Sequence, residues 1–316
     1  MDNNVFKYEV SVIVVTYNPL IEKLIKTVIS VIKQEGISKE IIICDDGSEI
    51  NFNKEIESFM EEHNFCDYKI ILNPTNKGTI ANLKTGMDVC KGEYIKTISP
   101  GDYLYDGFTL RKWIDYLKNN NRKWSFSEIV YYKNNNNDEI VFSDLDHPIC
   151  ISPYISKNDK KCVWNYIVLV DNPVGAAMIA ETEIINKYIN TLLLNGLVYT
   201  EDSVYSLMMF DGIVGIYYPE STIFYECGNG ISTSHNPEWQ RKLDDDWKKT
   251  KRIMHNYQNT TQYQKELLKW MDKDNLCSKI LTKGKILKWI RKNIFIRKTV
   301  LPDNSQAKLK CITSFC

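Results

Sequence analysis

Ser11-Val12-Ile13-Val14-Val15-Thr16-Tyr17-Asn18 is the stretch that decides the fold class. The β-branched run from Val10 to Val15 has no polar alternation, the mark of a strand buried on both faces, and it ends abruptly in polar residues. From Leu20 to Lys33 the apolar residues Ile21, Leu24, Ile25, Val28 and Ile32 recur at helical spacing, and Gly36 marks the stop. Ile41-Ile42-Ile43-Cys44 repeats the buried-strand pattern and runs into Asp45-Asp46-Gly47-Ser48. Tyr68 to Leu72 reads as a third strand. A helix over 79–90 carries Ile80, Leu83 and Met87 on one side, and Tyr94 to Ile98 is a fourth strand, leading into Ser99-Pro100-Gly101-Asp102. A helix with Leu110, Trp113, Ile114 and Leu117 follows. Strand–helix alternation of this kind predicts an α/β fold, a mostly parallel sheet with helices on both faces. Ligands of such sheets bind outside the carboxyl ends of the strands, where these polar clusters lie.

The second half is less regular. Asn134 to Asn137 suits a loop or hairpin tip. Val174 to Ala180 and Ile213 to Tyr218 read as strands, Glu181 to Leu194 and Ser203 to Phe210 as helices, and the chain beyond about Trp239 as helical and charge-rich. The 316 residues carry zero formal charge, which hides an asymmetry. Residues 1–274 hold 30 Lys and Arg against 39 Asp and Glu, whereas residues 275–302 hold eight basic residues and no acidic one. An acidic body disfavours nucleic acid as the main ligand, because phosphate backbones need neutralising charge. Nine scattered cysteines suit a reducing compartment better than a disulfide framework. Met1-Asp2-Asn3-Asn4 lacks the start of a signal peptide, and no apolar run reaches the ~20 residues of a membrane span. A cytoplasmic location is expected.

Each polar cluster has a structural and a chemical reading. Thr16-Tyr17-Asn18-Pro19 suits a strand-to-helix turn capped by Asn18; its hydroxyl and ring would equally bond and stack on a flat base. Asp45-Asp46-Gly47-Ser48 contains an Asp-Gly turn, yet two adjacent carboxylates repel each other, and one could accept the imide N–H of a uracil. Asn76-Lys77-Gly78 precedes a helix holding Asn82. Tyr199-Thr200-Glu201-Asp202 stands before the Ser203 helix, where acids favour the N-terminus and where a carboxylate could serve as general base. The glycines and hydroxyls of Tyr225 to His235 could wrap backbone amides around a phosphate.

The order S-V-I-V-V-T-Y-N, I-C-D-D-G-S, N-K-G, K-G-E-Y-I and an acidic strand end over residues 10–105 resembles the family 2 glycosyltransferases. The resemblance implies the GT-A (Rossmann-like) fold, with a mixed, mostly parallel sheet, flanking helices and here a helical C-terminal extension. It implies an inverting transferase that moves a sugar from a nucleoside diphosphate sugar, expected to be a UDP-sugar, to a glycan or lipid-linked acceptor in surface polysaccharide synthesis. Thr16, Tyr17, Asn18, Asp45, Asp46, Asn76, Lys77, Gly78, Asn82, Ser99, Pro100 and Gly101 would line the nucleotide site. Asp202 would be the base and Glu201 its neighbour toward the acceptor. The family carries Asp-x-Asp or Asp-x-Asp-Asp after the fourth strand to hold a divalent cation, Mn2+ or Mg2+. This chain keeps only Asp102 of that motif, and His235 is the candidate basic group of the later loop and second metal residue. Asp106 could assist or simply start a helix.

The expected division is a GT-A domain over 1–235, with a nucleotide half (1–110) and an acceptor half (111–235), followed by the basic extension 236–316. Ile280, Leu287, Ile290 and Ile294 would share one helical face in that extension, with Lys285, Lys288 and Lys292 opposite, suiting either packing on the domain or contact of residues 275–302 with an anionic membrane. Two rivals remain: a sugar nucleotidyltransferase, disfavoured because Thr16-Tyr17-Asn18-Pro19 stands where a basic glycine-rich loop is needed, and a degenerate scaffold, favoured by Ser99 and Gly101.

Overall fold

A computed structural model describes residues 6–135, 138–141, 148–228, 230, 236–272 and 301–314. The first half alternates as expected: β1 (Tyr8–Thr16), α1 (Ile21–Ile32), β2 (Lys39–Asp45), α2 (Asn53–Glu62), β3 (Tyr68–Leu72), α3 (Thr79–Met87) and β4 (Gly92–Ile98). β5 (Tyr103–Leu104), α4 (Thr109–Asn119), β6 (Trp124–Lys133), β7 (Glu139–Ile140), α5 (Ser152–Ile155) and α6 (Asp159–Val168) follow. After a 3-10 turn at Gly175–Ala177 come β8 (Met178–Glu181), α7 (Thr182–Leu194), α8 (Ser203–Phe210), β9 (Ile216–Glu226), α9 (Pro237–His255), α10 (Gln262–Met271) and α11 (Ser305–Thr313).

The strands form one nine-stranded sheet in the order β3-β2-β1-β4-β8-β6-β9-β5, with β7 on β6. β1 to β4 are parallel; β8 is antiparallel to both β4 and β6, and β6 and β9 are parallel again. Successive side chains of a strand point to opposite faces, which divides the core in two. Val10, Val12, Val14, Ile41 and Ile43 face α1, α2 and α4 through Leu24, Val28, Met60 and Trp113. Ile13, Ile42 and Cys44 face the other layer, built on α3, α6, α7 and α8. Ile253 and Met254 of α9 and Leu267 and Met271 of α10 join that second layer.

α11 packs on the far sheet edge. Leu309 and Ile312 meet Tyr103, Tyr105 and Phe224, and the Tyr105 hydroxyl lies 2.8 Å from Ser305 Oγ. Asp106 stands two residues before the Phe108 N-cap of α4, its Oδ1 accepting the Phe108 N–H at 2.9 Å, while its Oδ2 pairs with Lys308 at 3.3 Å. The amphipathic segment expected at 275–302 lies outside the described residues except at its last two positions. No helix among the described residues is long and apolar enough to cross a membrane.

Candidate active site

The parallel strands end on one edge, and their ends carry the first group of candidates. Thr16 closes β1; its Oγ1 is buried and has no hydrogen-bond partner, an unusual state for an interior hydroxyl. It lines a cleft with Asp45, Asn51, Phe52, Ile70 and Leu72. Tyr17 is 51% exposed, leaving its ring available for stacking. Asn18, with φ of 45°, ties the two strand ends together: its N–H donates to Ser48 Oγ (2.6 Å) and its Oδ1 accepts the Glu49 N–H (2.9 Å).

The two adjacent acids take different directions, which removes the repulsion expected between them. Asp45 is half-buried on the cleft wall and accepts from the Ser48 N–H at 2.7 Å and from the Ser48 hydroxyl. Asp46 is buried, and its two oxygens accept the N–H groups of Lys77 (2.9 Å) and Gly78 (2.8 Å). Its carboxylate is therefore the anchor of the Asn76-Lys77-Gly78 loop. Asn82 is equally interior: it donates to the Cys44 carbonyl at 2.9 Å and accepts from Asn73 Nδ2 at 2.9 Å. Asn76 Oδ1 accepts the Gly78 N–H at 3.1 Å, and Lys77 Nζ donates to Asn73 Oδ1 at 3.3 Å.

After β4 the chain turns through Ser99, Pro100 and Gly101, the Asp102 N–H returning to the Ser99 carbonyl at 3.0 Å. Gly101 has φ of 101°, and a Cβ there would strike Glu226 Oε2. The space a side chain at 101 would take is filled by Glu226 from the end of β9, whose carboxylate is paired with Lys23 Nζ at 2.7 and 2.8 Å. Asp102 Oδ1 accepts the Glu226 N–H at 3.2 Å. Burial, with a smaller push from the Glu226 charge, brings the Asp102 carboxyl up to about 7 against the pull of the Glu226 N–H and Lys96. Lys96 is itself wholly buried on β4, bonded to the carbonyls of Thr97 (2.9 Å) and Ala176, and burial brings its ammonium down to about 7. Among the described residues no group of three or more His, Cys, Asp or Glu is arranged to hold a metal ion. Asp102 still fits the sparse mode of Mg2+ binding, in which one or two carboxylates act with substrate phosphates. A buried carboxylate beside a second one is what a nearby cation would relieve. His235 lies outside the described residues.

The second acidic group is Glu201-Asp202. Asp202 occupies the N-cap position of α8, yet its side chain makes no capping hydrogen bond. Burial raises both carboxyls above the ordinary range, and the Asp202 charge raises Glu201 further. The turn before β8 covers the pair: a Cβ at Gly175 would sit 3.4 Å from Asp202 Cβ and 3.5 Å from Glu201 Oε1.

Two contacts that the sequence did not reveal join this pair to the strand ends. Gly78, with φ of 87°, lies so close to Val198 that a Cβ would strike Val198 Cγ1, and the Ile80 N–H donates to the Val198 carbonyl at 3.0 Å. Asp246 of α9, 1% exposed, takes the N–H groups of Val198 (3.0 Å), Tyr199 (2.7 Å) and Thr200 (3.2 Å) on its single Oδ2. Three consecutive amides form an anion-binding concavity, and Asp246 fills it. Its signal was present in the sequence: Asp246 shares the buried stripe of α9 with Thr250, Ile253 and Met254, unlike Asp244 and Asp245.

A parallel Rossmann-like half running into a mixed half, with carboxylates gathered at the strand ends, is the GT-A architecture. The model of the family described as "Glycosyl transferase family 2" matches residues 11–180, and the chain belongs to that family. Over 96 residues it is 36% identical to "Glycosyltransferase GlyG" of Streptococcus pneumoniae serotype 4 (strain ATCC BAA-334 / TIGR4), covering 30% of this chain and 31% of that relative. The fold resembles S. aureus TarS 1–349 in complex with UDP (TM-score 0.55, 14% identity, 89% of this chain and 78% of that chain). It also resembles the mannosyltransferase PcManGT from Pyrobaculum calidifontis in complex with GDP-Man and Mn2+ (TM-score 0.54, 12% identity, 98% and 87%).

Proposed function

We propose that this chain is an inverting glycosyltransferase that moves a sugar from a nucleoside diphosphate sugar, a UDP-sugar, to a hydroxyl of a glycan or lipid-linked acceptor in surface polysaccharide synthesis. The observation that carries this is the Glu201-Asp202 pair, covered by the turn at Gly175 and tied through Val198 to the Asn76-Lys77-Gly78 loop at the strand ends. Solved GT-A neighbours bound to UDP, UDP-GlcNAc and GDP-Man support a nucleotide-sugar donor. In this reading Tyr17 stacks on the base, Asp45 accepts its imide N–H, and the unpartnered Thr16 hydroxyl gains a partner. Asp202 takes the proton of the acceptor hydroxyl as that oxygen bonds to the anomeric carbon and the bond to the diphosphate breaks. Attack opposite the leaving group inverts the configuration, and Glu201 orients the acceptor. A divalent cation, Mn2+ or Mg2+, held by Asp102 with the donor phosphates would supply charge neutralisation for the departing nucleoside diphosphate. The protein acts in the cytoplasm at the inner face of the membrane, with residues 275–302 as the surface contact.

The test is calorimetry with UDP and Mn2+. Asp45→Ala should weaken UDP by about tenfold or more, the loss of one charged hydrogen bond at about 1.5–3 kcal/mol. Asp46→Ala should chiefly lower the melting temperature, because the Lys77 and Gly78 amides lose their acceptor. UDP bound equally by wild type and Asp45→Ala would refute the nucleoside site. Transfer assayed with Mn2+ and again with EDTA checks the metal: equal rates would remove the cation from the reaction. Absence of any transfer alongside tight UDP binding would instead favour the scaffold reading.

A further inference from the structure

A cavity of about 440 Å3 lies between the loop carrying Val198 and Tyr199 and the first three turns of α9. Its volume falls within the roughly 300–1,000 Å3 of small-molecule sites. Asp246 forms the floor. Tyr199 and Trp239 meet edge to face, with centroids 5.2 Å apart and planes at 85°. Lys242 Nζ caps the corner, 4.4 Å from the Trp239 centroid and 5.6 Å from that of Tyr199. Arg241, Lys242 and Lys249 alternate with Glu238, Asp245 and Asp246 along the α9 side of the lining. Three ion pairs join these groups, Lys242 to Glu238 at 2.9 Å and Lys249 to Asp245 at 2.8 Å and to Asp246 at 3.3 Å.

This chemistry narrows the occupant. Three cations balanced by three anions give no net field for a phosphate or a nucleotide, and a lining of ionisable groups rejects an acyl chain. Closely spaced donors and acceptors of both signs suit hydroxyl groups, which both donate and accept. The Tyr199 ring lines the cavity, backed edge to face by Trp239, and offers apolar surface to the C–H face of a sugar ring. The cavity also adjoins the reacting centre: Tyr199 stands two residues before Glu201, and Asp246 pins the intervening backbone. Building on the transferase reading above, we propose that this cavity is a subsite for an uncharged saccharide of the acceptor, gripped by Tyr199 and Lys242, which Trp239 holds in place, beside the Glu201-Asp202 pair. The loop that presents the base thus also carries one wall of the acceptor site.

The test uses the full-length protein with UDP and a panel of p-nitrophenyl glycosides (glucoside, galactoside, mannoside and N-acetylglucosaminide), read by ligand-observed NMR titration. At least one glycoside should bind wild type. Tyr199→Ala and Lys242→Ala should each weaken it by about tenfold, the scale of one lost aromatic or cation contact, with UDP affinity unchanged as the check on folding. Wild-type affinity in both variants, or no binding of any glycoside by wild type, overturns the subsite while bound UDP leaves the donor reading intact. Glycoside binding that is lost in the variants while UDP never binds would keep the subsite and strike the donor reading instead.

Discussion

Replacing Asp202 with Asn is expected to cut sugar transfer by about 10²–10⁴-fold, the range for loss of a general base. Asn keeps the size and a carbonyl acceptor but cannot take the proton. The donor contacts proposed for Thr16, Tyr17 and Asp45 come from other elements, so UDP affinity should hold, and the loss should fall on kcat. The pH profile adds a second readout. Burial raises both carboxyls of the Glu201-Asp202 pair, so the base is protonated, and idle, at pH values where an ordinary carboxylate has ionised. Wild-type turnover should therefore rise with pH above the ordinary 3.8 of Asp, and the residual activity of the variant should lose that limb. Stability runs the other way. A carboxyl raised in the folded state contributes stability that is full below its unfolded pKa and is lost as pH climbs through the folded value. Asp202→Asn removes that loss, so its melting temperature should exceed that of wild type at alkaline pH. If Asp202→Asn turns over normally while Glu201→Gln is dead, the two roles are exchanged. If both remain active, the base lies elsewhere. NMR of the wild-type product should show inverted anomeric configuration.

The parallel half of the fold was legible because β1 and β2 are buried on both faces and therefore run as unbroken apolar strings, each ending in polar residues at the cleft. β6 was not foreseen, for a physical reason. Ser125 and Ser127 lie fully inside and are satisfied locally, Ser125 by the Trp113 indole N–H at 2.9 Å and Ser127 by Thr222. Buried serines erase the apolar signature that β1 shows. The strand expected from Ile213 to Tyr218 is the start of a longer one: Pro219-Glu220-Ser221 breaks its apolar pattern, yet β9 passes this point through an irregularity in its register with β6 and continues to Glu226. The expected strand from Val174 to Ala180 begins as the 3-10 turn that brings Gly175 over the acid pair. The same limit governs the site. The sequence brought Asp45 and Asp46 forward together, but only tertiary contact separates the cleft-lining acid from the one consumed by Lys77 and Gly78. Glu226 and Lys23, 203 residues apart, fill the space beside Gly101, a pairing no local pattern encodes.

Asp246→Ala is the second change with a large expected effect. The substitution leaves the amides of Val198, Tyr199 and Thr200 without their shared acceptor and Lys249 without one of its two carboxylate partners. A single hydrogen bond to a charged group is worth about 1.5–3 kcal/mol, and orphaned buried donors cost more than the bond itself. The adjoining cavity lets water reach part of the freed loop, so the net loss of stability is expected to stay on the order of 2–3 kcal/mol. The catalytic cost should be larger than stability alone predicts, because the freed segment runs directly into Glu201 and Asp202, and a small misplacement of a catalytic group can cost about 10²-fold. Asp246→Asn should recover most of the stability and part of the rate, since its carbonyl oxygen can still accept from the concavity without the charge. Hydrogen exchange locates the effect: the amides of residues 198–200 should be protected in wild type, intermediate in Asp246→Asn and fast in Asp246→Ala, while those of β1 and β2 stay unchanged. If transfer falls only in proportion to the unfolded fraction, Asp246 stabilises the fold without aligning the base. If transfer falls while the protein remains folded and UDP still binds, the carboxylate on α9 is what holds the proposed catalytic pair in register with the donor loop at Gly78.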